Sequence, residues 1–251
     1  LNPSSAASDV YKRQVIAPED GAGVGGDVTY TPMTSQINNN APITAGGWNS
    51  TAAASNAYWL GLCYGNNSIP RFVAVGNQIS MYSDNGINWY STNPAYDPNQ
   101  GISGNWAAVA FGDNLNSGSP RYVAVGYNPY GGMMYSGNGI NWALTPSNPA
   151  LAFWSSIVCG NGRFVAVAYS GPTRIMFSDD GVNWTLSGST ASTALGDWQS
   201  VTFGYGNNAG SASGCFIAVA SGGDNRIAFS NDGNTWSAKA PPSSAANTTW
   251  N

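Results

Sequence analysis

The chain has 251 residues, a net charge of −4 and only 8% charged side chains, against the ~25% usual in soluble domains. Glu19 is the only glutamate, Lys12 and Lys239 are the only lysines, and histidine is absent. These counts exclude a basic nucleic-acid footprint and any Ser-His or Cys-His nucleophile pair. No apolar run approaches the ~20 residues of a membrane-spanning helix. Ten Trp, 13 Tyr and 8 Phe among abundant Gly, Ser, Asn and Thr read as an all-β composition.

Residues 1–14 do not match the rest. The run Ser-Ala-Ala-Ser-Asp-Val-Tyr-Lys-Arg-Gln resembles a translated adapter or vector scar at the end of an environmental-sequence reading frame, and it is set aside from fold reasoning. Residues 15–47 are Gly-, Asn- and Thr-rich, with one expected strand at Val28-Thr29-Tyr30-Thr31. From residue 48 onward the chain is a set of repeats, expected as blades at about 57–92, 104–145, 152–187 and 196–239.

Each repeat opens at a Trp and reaches a Gly six residues later: Trp59 to Gly65, Trp106 to Gly112, Trp154 to Gly160, Trp198 to Gly204. Three residues after the Trp stand Leu62, Val109, Ile157 and Val201; five after it, Tyr64, Phe111, Cys159 and Phe203. That period of two is a strand with those positions on one face. A continuous apolar run follows: Phe72–Val75, Tyr122–Val125, Phe164–Val167, Phe216–Val219. A run without alternation predicts a strand buried on both faces, and its Ala suggests close approach of a neighbouring sheet.

The third strand leads into a motif present four times: Ser83-Asp84-Asn85-Gly86-Ile87-Asn88-Trp89, Ser136-Gly137-Asn138-Gly139-Ile140-Asn141-Trp142, Ser178-Asp179-Asp180-Gly181-Val182-Asn183-Trp184 and Ser230-Asn231-Asp232-Gly233-Asn234-Thr235-Trp236. Asn or Asp before Gly predicts a tight hairpin turn, because Gly supplies positive φ. The Ser and Asn/Asp side chains can bond nearby backbone and lock it. The motif Trp is expected to begin a fourth strand.

Successive motif tryptophans are 53, 42 and 52 residues apart. Four strands recurring at ~40–50 residues predict a β-propeller with one four-stranded antiparallel sheet per blade. The ten tryptophans alternate between motif and first-strand positions if Trp48 ends a preceding blade, and Trp250 then opens a further one. Four complete blades are expected, with partial blade material at both ends. Either the two ends share a fifth blade, or the chain is a piece of a larger propeller; the scar and the abrupt stop favour the piece.

The motif resembles the Asp-box, or BNR, repeat of sialidases and other propellers, Ser-x-Asp-x-Gly-x-x-Trp, shortened here by one residue, with Asn as the acid in two copies. The extended unit Arg-Phe-Val-Ala-Val-Gly…Tyr-Ser-Asp-x-Gly-x-x-Trp is similar to Asp-box propellers of phage tail and other surface proteins and to photosystem assembly factor propellers. The resemblance covers residues 48–250. It implies a sialidase-superfamily-like fold, an extracellular or virion-surface setting, and a motif that serves as a structural turn away from any active site.

A sialidase-type hydrolase would need three arginines on a carboxylate, a Tyr–Glu nucleophile and an acid/base Asp. Arg71, Arg121 and Arg163 occupy one equivalent place in three repeats, which reads as architecture, and Glu19 lies outside the repeats. No catalytic constellation emerges, and no cofactor is implied. The aspartates at 84, 179, 180 and 232 give each turn one or two carboxylates, where calcium wants 6–8 oxygens, so no metal site is expected. Cys63, Cys159 and Cys215 read as small buried hydrophobes. The turn residues Ser83, Gly86, Trp89, Ser136, Gly139, Trp142, Ser178, Gly181, Trp184, Ser230, Gly233 and Trp236 are structural.

Binding residues favour loops on a rigid scaffold. The non-repeating loops carry Tyr96, Asp97, Tyr127, Tyr130, Tyr169, Asp197, Asp224 and Asn225. Aromatic faces beside amides and carboxylates suit sugar rings. The expected function is a non-catalytic recognition module for glycans or another cell-surface or protein partner. A sialidase-like hydrolase and a structural or assembly scaffold are the alternatives.

Overall fold

The computed structural model describes residues 51–66, 68–95, 104–127, 132–146, 152–188, 196–205, 214–222 and 226–239. The chain separates into two compact units, Leu1–Asn49 and Ser50–Asn251, and the described residues all belong to the second. Residues 1–14, the strand expected at 28–31, Trp48 and Trp250 lie outside them.

Among the described residues sixteen strands form four sheets. The first contains β1 (Trp59–Gly65), β2 (Arg71–Gly76), β3 (Ile79–Ser83) and β4 (Tyr90–Thr92); the second β5 (Trp106–Gly112), β6 (Arg121–Gly126), β7 (Met133–Ser136) and β8 (Ala143–Leu144). The third contains β9 (Phe153–Gly160), β10 (Arg163–Ser170), β11 (Ile175–Ser178) and β12 (Thr185–Leu186); the fourth β13 (Trp198–Gly204), β14 (Cys215–Ala220), β15 (Ile227–Ser230) and β16 (Ser237–Lys239). Every sheet is an antiparallel meander in sequence order. Among the described residues no helix is long and apolar enough to cross a membrane.

The register repeats from sheet to sheet. Phe72 pairs with Tyr64 on one side and Ser83 on the other, and Phe216 stands likewise between Phe203 and Ser230. A bulge follows the opening Trp of β1, β5 and β13. The first strands of consecutive sheets are neighbours, β1 beside β5, β5 beside β9 and β9 beside β13. The sheets therefore stack face to face about their first strands, as blades of a β-propeller do.

The core consists of three layers, one at each seam between blades. Val73 and Val75 of blade 1 meet Val109, Tyr122, Ala124 and Met134 of blade 2. Val123 and Val125 meet Ile157, Phe164, Ala166 and Met176 at the next seam. Val165 and Val167 meet Val201, Phe216, Ala218 and Ala228 at the last. Small alanines on one face admit the branched valines of the other, so close packing and hydrophobic burial are achieved together.

Two expectations are revised. The apolar run of β14 is not buried on both faces: Phe216 and Ala218 are buried, whereas Ile217 and Val219 are 41% and 43% exposed. They stand on the side that no described blade covers. The Ser…Trp motif joins the third and fourth strands, as expected, but as a longer loop than a tight turn, and the Trp stands before the fourth strand rather than in it. Six residues separate β3 from β4. Positive φ falls on the glycines alone in all four copies, whereas a two-residue type I′ turn needs it at both central residues. The fourth strand starts one residue after the motif Trp.

Candidate functional site

The repeated turn is built from its own side chains. The Ser83, Ser136, Ser178 and Ser230 hydroxyls accept the N–H of Gly86, Gly139, Gly181 and Gly233 at 2.7–2.8 Å. The side-chain oxygen of Asn85, Asn138, Asp180 or Asp232 accepts the N–H groups two and three residues onward at 2.7–2.9 Å. Asn and Asp do this equally well because each presents one acceptor oxygen to the same two donors. Partial burial of the Asp180 carboxyl opposes ionisation, but the N–H groups of Asn183 and Val182 outweigh it and hold its pKa below the ordinary value. Asp232 is lowered in the same way, burial being overcome by the N–H groups of Thr235 and Asn234.

Arg71 and Arg163, each at the head of a second strand, tie their own turn to the next blade. Arg71 donates to Asp84 of its own turn at 2.6 Å and to the Asn138 carbonyl of the following one at 2.5 Å. Arg163 grips both oxygens of Asp179, at 2.7 and 2.9 Å, and reaches the Asp232 carbonyl at 2.6 Å. Hydrogen bonding from Arg163 is the main cause holding the Asp179 carboxyl below its usual pKa. Arg121, whose turn has Gly137 where those of Arg71 and Arg163 have Asp84 and Asp179, donates to the Ser119 carbonyl at 3.3 Å. All three guanidiniums lie over an aromatic ring of their own third strand, Tyr82, Tyr135 or Phe177.

The opposite ends of the strands carry the non-repeating loops. Of the eight candidate ligand residues, Tyr127, Tyr169 and Asp197 are described, and Tyr96, Asp97, Tyr130, Asp224 and Asn225 lie outside the described residues. Tyr127 bridges to Phe153 across a seam, with ring centroids 5.5 Å apart. Phe153 pairs with Ser170, the neighbour of Tyr169. The two tyrosines thus reach the same edge, 46% and 40% exposed. Asp197 stands one seam further and forms an ion pair with Arg174 at 2.6 Å. Its carbonyl accepts from Gln199 and from the Ser221 backbone.

A concavity that the sequence did not make apparent lies elsewhere. A groove of about 380 Å³ lies between the first and second blades, lined by Ser91, Thr92, Asn93, Ile140, Asn141 and Trp142. Trp142 reads as a structural turn residue, yet it is only half-buried, while Trp184 and Trp236 at the same repeat position are 6% and 5% exposed. The available signal was the comparison of copies: Asn93 corresponds to Pro146 and Gly188, and Ile140 to Val182 and Asn234.

All three cysteines are free. Burial pushes the Cys63 and Cys159 thiols up to about 12, so both remain neutral and unreactive at physiological pH. Among the described residues no three metal-ligating side chains come together.

These features define the described unit as four blades of a β-propeller with locked outer turns. The chain matches no family model and no curated protein. It is similar to solved structures at low identity. The computationally designed Ika8 protein is 14% identical, with a TM-score of 0.45 over 71% of this chain and 48% of that one. The designed Ika4 protein is 12% identical, with a TM-score of 0.45 over 72% and 97%. BBS1N, solved in complex with ARL6DN, is 8% identical, with a TM-score of 0.47 over 77% and 56%. The chain thus spans about half the length of the Ika8 and BBS1N chains.

Proposed function

We propose that this chain is a non-catalytic recognition module that binds glycans through the parts of its blades that do not repeat. One observation carries the reading. The equivalent polar side chains are consumed by the frame, the turn serines and their Asn or Asp partners in closing each turn and Arg71 and Arg163 in strapping neighbouring blades, while Tyr127 and Tyr169 stay exposed on a single edge. Exposed aromatic faces on a rigid frame stack on ligand rings at small entropic cost. The likeness of the turn to the Asp-box of surface-protein propellers supports the same setting.

A sialidase-like reading asks Arg71, Arg121 and Arg163 to clamp a substrate carboxylate. Arg71 and Arg163 already hold Asp84 and Asp179 of their own turns and the Asn138 and Asp232 carbonyls of the next blades, and turning them to a substrate would loosen two seams. A glycan array probed with the intact protein is expected to give saccharide-specific binding and a fluorogenic sialoside to give no turnover. Turnover of the sialoside, or an array without signal above background, would reject the reading; with a blank array, a stable protein partner in a pull-down would establish the scaffold alternative.

A further inference from the structure

We infer that the groove between the first and second blades is a subsite for an uncharged saccharide, in a seam that lacks the hydrogen-bonded clip joining blades 3 and 4. This deepens the glycan reading and rests on it.

At the seam between blades 3 and 4, Ser187 donates to the Asn234 carbonyl at 2.5 Å, and the Gly188 N–H donates to the Asn234 side-chain oxygen at 3.0 Å. One asparagine on the motif turn therefore clips the end of the preceding blade's fourth strand, and Trp236 beside it is buried. In the seam between blades 1 and 2 the same three places hold Thr92, Asn93 and Ile140. Ile140 has no amide to offer. The Thr92 hydroxyl turns back within its own blade to Ser80, 2.5 Å away. The clip cannot form there, nor at the seam between blades 2 and 3, where Pro146 and Val182 hold the same places and Trp184 is nonetheless buried; between blades 1 and 2 the groove lies open beside Trp142.

The lining specifies a chemistry. Trp142 presents a half-buried indole, Asn93 and Asn141 are exposed amides, and the Asn141 side chain is not needed by the turn, whose lock uses its backbone N–H. An aromatic face packs against the C–H face of a pyranose, and amides both donate to and accept from ring hydroxyls. Among the described residues no charged side chain lines the groove. A carboxylate or sulfate would lose hydration there without an ionic partner, so neutral sugars are favoured over sialylated or sulfated ones.

The test uses saturation-transfer NMR on the full chain with cellotriose, maltotriose and triacetylchitotriose, and 3′-sialyllactose as the anionic arm. At least one neutral trisaccharide is expected to bind. The double variant Asn93→Gly/Ile140→Asn, which copies the closed seam, is expected to weaken it at least about tenfold, with a thermal midpoint no lower than the wild type. The variant Asn93→Ala/Asn141→Ala, which leaves the groove open but removes its amides, is expected to weaken it as well. Wild-type binding that both variants retain would overturn the groove while leaving glycan recognition in place. Binding of sialyllactose alone would overturn the preference for neutral sugars. Absence of all four signals overturns the subsite, and the recognition reading falls with it only if the glycan array is also blank.

Discussion

A single repeated position, the residue before the glycine, illustrates how far chemistry can be exchanged without changing structure. Asn85 and Asn138 fill it in blades 1 and 2, Asp180 and Asp232 in blades 3 and 4, and all four accept the same two backbone N–H groups. The difference appears on acidification. The folded pKa of each aspartate lies below its ordinary value, so each contributes stability that is present above about pH 4 and is lost as pH falls through the lowered folded value. Asparagine does not titrate. The double variant Asp180→Asn/Asp232→Asn is expected to stay near wild-type stability at pH 6 and to lose less than the wild type at pH 3. Thermal midpoints by circular dichroism at the two pH values check this; an equal acid loss in both proteins would show that these carboxylates contribute nothing. Asp179, lowered chiefly by Arg163, keeps part of the acid sensitivity in either protein.

At the scale of the turn and its strands, most of the local design is readable in the residues, and one part is not. The glycine of each motif sits at φ between 72° and 74°, as Asn/Asp-Gly suggests. Its closure comes from the Ser and Asn/Asp side-chain oxygens, as those residue types suggest, rather than from a backbone turn. What surrounds the glycine depends on the blade before it. A Cβ on Gly181 would meet Val123 and Arg121 of the preceding blade at 2.8 Å and Phe164 at 3.0 Å, whereas one on Gly86 would meet only Phe72, at 3.6 Å. Gly86→Ala should therefore cost only the left-handed conformation, about 1–2 kcal/mol. Gly181→Ala adds overpacking of about 1–3 kcal/mol to that. Urea midpoints for the two variants measure the difference, and equal losses would mean that the turn does not press on its neighbour.

Across the whole molecule, identical strands end in different environments. Val167 and Val219 are the same letter of the same repeat; the first is fully buried against blade 4 and the second is 43% exposed. Val167→Thr buries a hydroxyl and is expected to destabilise by about 1–3 kcal/mol, while Val219→Thr should stay within about 0.5 kcal/mol. Unfolding curves of the pair test whether a further surface covers the outer face of blade 4 in solution, since a matching loss at Val219 would show that it is covered. On the other flank of the array Leu62 and Tyr64 are likewise exposed. The same dependence on neighbours produced the groove, because the clip at Ser187 and Asn234 joins residues 47 apart.

Four blades, their antiparallel order and the central apolar strand followed from the residues alone, because strand alternation, an apolar run and an Asn/Asp-Gly turn are short-range signals that neighbouring residues settle among themselves. The straps from Arg71 to Asn138 and Arg163 to Asp232, the salt bridge of Asp197 with Arg174, the uncovered face of β14 and the open seam at Trp142 did not follow. Each depends on which blade faces which and on side chains brought together from 23 to 69 residues apart. No local pattern records that, because packing between blades is chosen by surfaces that exist only once the sheets have formed.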